Sequence, residues 1–384
     1  MGRRDGGMKI VIAAEIYPPD IGGPATYSQN LAGELVSRGH YVSLICYGEA
    51  ASEDKVSKFS ITRITRELPR RKRYSEYRKQ LSSLAKNCDM IYAMGPVSSG
   101  WNVYKVAKKL HKPFVVKVVG NYAWEQAANM GVTKTLPDTF DDEWRLPFRI
   151  WFLKYIQAIV CQKANKIITP SEYLKGLVKN WGVGDDTIEV IYNAVPAMAH
   201  TERIPRHPII LAVGRLVTWK GFETLIEVMP EIIETEPQMK LVIVGAGPLE
   251  RVLEEKIKDM HLEKCVRLTG KLEKNHVATH YQHAMLFVLN SGYEGLPHTV
   301  LEAMSFGTPV IVSNIGGNPE VIENEKNGLL FEYNNKAQLR EAILKLIRSP
   351  KLSRRLAANA HETLQRFKPE IMYDKTIKVL ESVV

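Results

Sequence analysis

Short apolar runs rich in β-branched residues alternate with amphipathic stretches along the whole chain. Residues 9–14 read as a buried strand, 24–38 as a helix closed by Gly39, and 41–46 as the next strand. A strand at 90–93, a helix at 101–110 and a strand at 114–119 continue the alternation. The pattern restarts after residue 200, with strands predicted at 209–213, 241–244, 266–268, 285–289 and 310–312. Helices are predicted between them at 222–234, 249–260 and 299–306. Continuous apolar strands separated by helices are what a parallel sheet covered on both faces requires.

Between the two series, residues 193–205 are polar, carry Pro196 and Pro205, and show no periodicity. The chain therefore divides into a first α/β domain over 1–195, a linker over 196–206 and a second α/β domain over 207–366. Its 384 residues exceed one ordinary core and suit two. Ligands are expected at the carboxyl ends of the strands.

Composition changes this picture little: 45% hydrophobic and 24% charged residues are those of an ordinary globular protein. The net charge of +10 does more, because it asks for an anionic partner, whether nucleic acid, lipid headgroup or phosphorylated small molecule. Cys46, Cys88, Cys161 and Cys265 form no CxxC pair, which argues for a reducing compartment and against structural zinc. The start, Met1-Gly-Arg-Arg-Asp-Gly-Gly7, lacks the apolar stretch of a signal peptide, and no apolar run is long enough to span a bilayer. A cytoplasmic location is expected.

Chemistry concentrates in Ser291-Gly-Tyr-Glu-Gly-Leu-Pro-His-Thr-Val-Leu-Glu302, between a strand and a helix that starts near Pro297 or His298. Pro297 suits a first helical turn, and the amides of His298, Thr299 and Val300 would then face a phosphate with the positive end of the helix dipole. Gly292 and Gly295 would let the backbone approach a ligand. Glu294 lies in the loop before the helix, and Glu302 about one turn inside it, where a carboxylate can accept both hydroxyls of a ribose. An acid favoured by the helix dipole is the plainer explanation for Glu302 taken alone.

A second loop, Val213-Gly-Arg-Leu-Val-Thr-Trp-Lys-Gly221, delivers Arg215 and Lys220 at a strand's carboxyl end, where two cations can neutralise a diphosphate. A third, Pro18-Pro-Asp-Ile-Gly-Gly-Pro-Ala-Thr-Tyr27, sets Gly22 and Gly23 before a helix that begins with Pro24. Paired glycines can also mean no more than a turn.

Glu294 and Glu302, with seven residues between them, resemble the EX7E motif of the retaining glycosyltransferases of the family 4 type, which share the GT-B fold. The Gly214-Arg215 to Lys220-Gly221 segment is similar to that family's G-R-x-x-x-x-K-G pattern, and the likeness runs from the Pro-Pro-x-x-Gly-Gly start to the final helices. The resemblance implies two Rossmann-like domains facing each other across a cleft, with residues 367–384 crossing back to the first. It implies a nucleotide-sugar donor (UDP-, GDP- or ADP-linked), with Glu294 on the sugar hydroxyls and Glu302 on the nucleotide ribose. Gly22, Gly23, Arg215 and Lys220 would meet the diphosphate, Gly245 would flank the nucleotide, and the backbone at Gly270 and Lys271 would meet the base. Leu296 and Gly295 complete the Glu-Gly-Leu-Pro segment, and Gly316 and Gly317 are candidates for the sugar pocket.

Relatives place a His or an Asp near the end of strand 114–119, where this chain has Asn121. An amide can hydrogen-bond a sugar hydroxyl, which keeps Asn121 with Glu294, Arg215 and Lys220 as a catalytic-site candidate, but it cannot act as a base, so the leaving phosphate oxygen is expected to take the acceptor's proton. No metal or other cofactor is expected, and no nucleic acid. The acceptor would be a glycan or lipid-linked molecule of cell-envelope or polysaccharide synthesis. Two segments of the first domain suit an anionic membrane surface: the basic run Arg70-Arg-Lys-Arg73 with Tyr74 and Tyr77, and residues 144–155, in which bulky aromatics alternate with cations. A buried helix over 144–161 is the simpler reading of the latter. Residues 349–384 read as helical with a break at 367–370, which with the linker near Pro196 would form a hinge. A sugar-nucleotide epimerase, a phosphorylase or a non-catalytic nucleotide-sugar-binding subunit are the alternatives, and Asn121 favours the last.

Overall fold

A computed structural model describes residues 7–20, 22–195 and 206–384. The expected linker and its hinge at Pro196 lie, apart from Arg206, outside the described residues. The chain forms two compact units, one of Met1–Ile191 with Met372–Val384, the other of Tyr192–Ile371.

In the first unit seven strands pair in parallel: β1 (Lys9–Ala13), β2 (Tyr41–Tyr47), β3 (Ser60–Ile64), β4 (Met90–Ala93), β5 (Phe114–Lys117), β6 (Lys166–Thr169) and β7 (Ile188–Val190). Their order is β3-β2-β1-β4-β5-β6-β7. Ile10 faces Val42 on one side and Met90 on the other, and Ile10 to Ala13 are all buried, so β1 has no polar face to show water. The first helix, Gly23–Ser37, ends at Gly39, whose φ of +85° suits the left-handed turn that an L side chain would resist. The last helix, Pro369–Glu381, packs into this unit from Met372 onward: Asp374 pairs with Arg38 at 2.6 Å, and Thr376 is fully buried.

The second unit repeats the plan with β8 (His207–Val213), β9 (Lys240–Val244), β10 (Val266–Leu268), β11 (Ala284–Leu289), β12 (Val310–Ser313) and β13 (Leu329–Phe331), in the order β10-β9-β8-β11-β12-β13. The period of two places alternate residues in separate cores. Ile210, Ala212, Leu286 and Val288 join one cluster, while Leu211, Phe287 and Leu289 join the other. Both faces are dry.

Some boundaries differ from the sequence reading. The single helix expected over 222–234 is two, Phe222–Glu227 and Met229–Thr235, because Pro230 has no amide to continue the ladder and instead opens the second helix. The segment 144–161 contributes a helix at Phe148–Lys163, and Arg70–Ala85 is helical throughout. The break near 367–370 is a 3-10 turn, Leu364–Phe367, followed by Pro369. In each unit the strand order reverses beside the first strand, between β1 and β4 and between β8 and β11. Crevices that hold ligands open at the carboxyl ends of such strand pairs.

Candidate active site

At the second reversal, the loops after β8 and β11 are fastened together. The Gly214 amide donates to Val244 O at 3.0 Å, and a 3-10 turn at Thr218–Lys220 brings the chain to Gly221, whose φ is +57°. A Cβ on Gly221 would lie 2.3 Å from both the side-chain nitrogen and the carbonyl oxygen of Asn290, so glycine is required by space as well as by conformation. Asn290 Nδ2 donates to Gly221 O at 2.9 Å, and the Gly292 amide to Trp219 O at 2.7 Å. These bonds bring together two residues 74 positions apart: Lys220 Nζ donates to Glu294 Oε1. Both side chains are largely buried, at 16% and 12% exposure, so little water screens the pair. Arg215 is exposed nearby in sequence, and no carboxylate among the described residues pairs with it.

Glu294 is held from behind by glycines. The Gly317 amide donates to Glu294 O at 2.8 Å, and a Cβ on Gly316 or Gly317 would lie 2.6 Å from Glu294 O or 2.4 Å from Gly295 O. The glycine pair therefore shapes the Glu294 loop by close backbone approach. Below it, Ser313 Oγ donates to Ser291 O at 2.6 Å and Asn318 Nδ2 to Ser313 O at 2.8 Å. Ser291 Oγ and Asn318 Oδ1 are buried with no hydrogen-bond partner among the described residues, a cost usually met only where a ligand or water completes the set.

Glu302 lies in the helix His298–Ser305, mostly buried, with Oε2 accepting from Tyr281 Oη at 3.1 Å. Burial raises its carboxyl above the ordinary value of 4.5, against the opposing pull of the Tyr281 hydrogen bond and the Lys274 charge. Tyr281 is itself 1% exposed and stacks on Phe306, so one oxygen of Glu302 has a rigid anchor. Nothing in the sequence spacing marks Tyr281. The signal was only that a tyrosine at a core position needs a partner for its hydroxyl.

The structure narrows the phosphate reading. Pro297 is the N-cap, with φ −79° and ψ 83°, and the first helical residue is His298. The His298 amide donates to Leu296 O at 2.9 Å and the Val300 amide to Pro297 O at 3.1 Å. Of the three expected donors, Thr299 is the one whose amide has no backbone acceptor among the described residues. Leu296 and Val300 put their side chains in the core, leaving only their main chain for a ligand. The exposed His298 places Nε2 3.0 Å from Asn193 Nδ2. Gly245 and Gly270 bind each other, amide to carbonyl at 3.0 Å, and a Cβ on Gly245 would fall 1.8 Å from Gly214 O. Lys271 follows, exposed.

Gly22, Gly23 and Asn121 belong to the first unit. Gly22 is the cap residue of the helix that begins at Gly23, in an extended conformation against Ile16. Asn121, a candidate for the catalytic site, has a structural place here. It is fully buried as the N-cap of the helix Tyr122–Asn129, where Oδ1 accepts from the Trp124 amide at 3.2 Å and from Gln157 Nε2 at 3.0 Å. An amide committed to a cap and shut off from solvent serves the fold.

Among the described residues no three His, Cys, Asp or Glu side chains come together as metal ligands, and no helix is long and apolar enough to cross a membrane.

Two sequence families match the chain in succession, Glycosyltransferase Family 4 over residues 21–197 and Glycosyl transferases group 1 over residues 198–363. An uncharacterized glycosyltransferase of Methanocaldococcus jannaschii is 28% identical over 349 residues, which cover 84% of each protein. One of Haemophilus influenzae is 31% identical over 207 residues; there the chain spans about half the length of its relative (55%) and matches over 52% of its own. Among solved structures, Anabaena HepE in complex with UDP-glucose superimposes with a TM-score of 0.79 at 18% identity, over 98% of this chain and 100% of that one, a likeness of fold. With consecutive family matches from residue 21 to 363 laid over two parallel α/β units, the chain is similar over nearly its whole length to glycosyltransferases of the GT-B fold, which supports a transferase enzyme.

Proposed function

We propose that this enzyme moves a sugar from a nucleotide-sugar donor to a glycan or lipid-linked acceptor in cell-envelope or polysaccharide synthesis, with retention of configuration. The Lys220–Glu294 pair at the carboxyl edge of the second sheet carries the reading. A donor diphosphate offers Lys220 a doubly charged partner in place of one carboxylate. Glu294, released, then accepts the sugar hydroxyls. Arg215 adds a second cation, and the Thr299 amide a helix-end donor. Glu302, anchored by Tyr281, keeps one oxygen for the ribose hydroxyls. The fold neighbour solved with UDP-glucose supports this class of donor.

In the transfer step the bond between the sugar's anomeric carbon and the diphosphate oxygen breaks, its electron pair leaving with the phosphate. The acceptor oxygen bonds to that carbon on the same face, and its proton goes to the departing phosphate oxygen. Lys220 and Arg215 stabilise charge that grows as the bond breaks, which is where fixed cations accelerate a reaction. The reading assigns charge compensation to these side chains, so activity should persist in a chelator. The four cysteines, all free, suit a reducing cytoplasm, with the acceptor reached at the inner face of the membrane.

The test separates the two halves of the ion pair. With a panel of UDP-, GDP- and ADP-sugars, donor hydrolysis and nucleoside diphosphate binding are measured for Lys220→Met and Glu294→Gln. Lys220→Met should weaken nucleoside diphosphate binding and lower turnover by about 10²-fold, as when one stabilising donor is removed from a charged transition state. Glu294→Gln should lose turnover similarly while binding the nucleoside diphosphate as well as, or better than, the parent. Tight nucleotide binding without turnover on any donor would instead indicate a non-catalytic subunit.

A further inference from the structure

The first unit carries a surface that the donor site does not use. Five large aromatics within twelve residues face solvent: Trp144 (70% exposed), Phe148 (84%), Trp151 (42%), Phe152 (46%) and Tyr155 (59%). The helix Phe148–Lys163 is apolar on two sides. Its inner stripe of Ile150, Leu153, Ile156 and Val160 is buried, whereas the outer stripe of Phe148, Phe152 and Tyr155 is exposed. Scattered exposed apolar residues are ordinary, but a contiguous aromatic ridge calls for a partner.

A second observation lies on another helix. Arg70–Ala85 opens with Arg70, Arg71, Lys72 and Arg73 and has no acidic residue in its first turn. Four cations at the positive end of a helix dipole repel both it and one another, and an anion relieves that cost. Tyr77 does not share the role, being buried with Oη 3.0 Å from Ala14 O, and Tyr74 is half-buried beside Tyr47.

Tertiary structure joins the two features. Helix Arg70–Ala85 packs on helix Gly100–Leu110, which packs on Phe148–Lys163, making one layer over the sheet. Helices that cross back over a parallel sheet start at its carboxyl edge. The basic first turn and the aromatic ridge therefore share one end of that layer, although more than seventy residues separate them in sequence. Of the nearby acids three are engaged within the unit: Asp141 lies 3.7 Å from Lys154, Glu143 Oε2 accepts from Thr133 at 2.5 Å, and Asp138 accepts from Tyr173 at 3.0 Å; Asp142 is exposed, against the cations Arg145 and Arg149. Arg145 and Arg149 flank the ridge, both exposed.

We infer that this end of the helical layer docks on an anionic phospholipid bilayer. Trp and Tyr favour the boundary between headgroup and acyl chain, Phe148 and Phe152 reach below it, and the exposed Arg70, Arg71 and Lys72 meet the phosphates, while Arg73 lies over the Tyr47 ring and donates to Arg66 O at 3.1 Å. It deepens the transferase reading and rests on it only for purpose: docking at the carboxyl edge would present a lipid-linked acceptor where this fold receives ligands.

The experiment floats the full-length protein with vesicles of phosphatidylcholine alone or with about 30% phosphatidylglycerol, the anionic lipid supplying the surface potential. The parent should float with the anionic vesicles and be released by salt. Arg70→Gln/Arg71→Gln/Lys72→Gln should lower partitioning by roughly 100-fold, at about fivefold per basic side chain. Trp144→Ser/Phe148→Ser/Phe152→Ser should lower it at least tenfold. Donor hydrolysis in solution should be unchanged in both variants, so loss of vesicle binding is not confused with loss of the active site. Absence of vesicle binding by the parent, or equal binding by all three proteins, overturns the inference. So does a vesicle-independent dimer of the parent that the aromatic variant dissolves, since the ridge would then be a contact between two copies.

Discussion

Lys117 ends β5 only 3% exposed, and its Nζ has no hydrogen-bond partner among the described residues. The Tyr27 ring lies 4.2 Å away, and burial pushes the amine down from its ordinary 10.5 to about 7. A desolvated cation–π contact contributes about 2 kcal/mol. Holding the charge would instead cost about 4 to 5 kcal/mol, from 1.36 kcal/mol per pH unit over that depression, so the neutral amine wins above neutrality. Between the two values the folded state binds fewer protons than the unfolded one, and stability must rise with pH. Lys117→Met keeps the length and removes the proton. Relative to this variant the parent should be handicapped by about 4 kcal/mol at pH 7 and about 2 kcal/mol at pH 9, a slope near 1.2 kcal/mol per pH unit. The slope is independent of how well methionine packs. Urea unfolding followed by tryptophan fluorescence reads the correct unit, because Trp101, Trp124, Trp144, Trp151 and Trp181 all lie in it and only Trp219 does not. A stability difference flat from pH 7 to 9 would refute the argument, showing that the ammonium keeps its charge in the folded protein.

Two further outcomes follow from the site and its surroundings. Asn121→Ala removes a helix cap and leaves the Trp124 amide and Gln157 without their acceptor, and should destabilise by about 2 to 3 kcal/mol in thermal melts. Donor hydrolysis per folded molecule should stay within a few-fold of the parent; a large rate loss below the melting range would return Asn121 to the chemistry. Glu302→Gln tests a trade between stability and binding. The raised carboxyl value means that the contribution of Glu302 to stability is full below pH 4.5 and lost as pH rises through its folded-state value. The variant should therefore melt higher than the parent at pH 7, with the gap closing toward pH 4, while its KM for donor rises about tenfold as a charge-assisted bond to ribose is lost. An unchanged KM would remove Glu302 from the ribose site.

The sequence by itself determined whatever depends on neighbours along the chain. Apolar runs such as 9–14 and 285–289 become strands, because side chains buried on both faces leave no other use for them, and Gly39 ends its helix for a reason local to one residue. The motif residues Glu294, Glu302, Arg215 and Lys220 were legible through their spacing and family likeness, and that likeness also named the fold. Short strands such as β13 (Leu329–Phe331) and β7 (Ile188–Val190) were not, because three residues show no period and owe their conformation to the strand beside them. Only tertiary structure paired Lys220 with Glu294, set Tyr281 under Glu302, and used Gly316 and Gly317 to seat the Glu294 backbone. It also made Asn121 a buried helix cap and split the 144–161 segment between a buried stripe and an exposed one. These are long-range contacts, decided by which loops the strand order brings to one edge of a sheet, and no local pattern encodes that order.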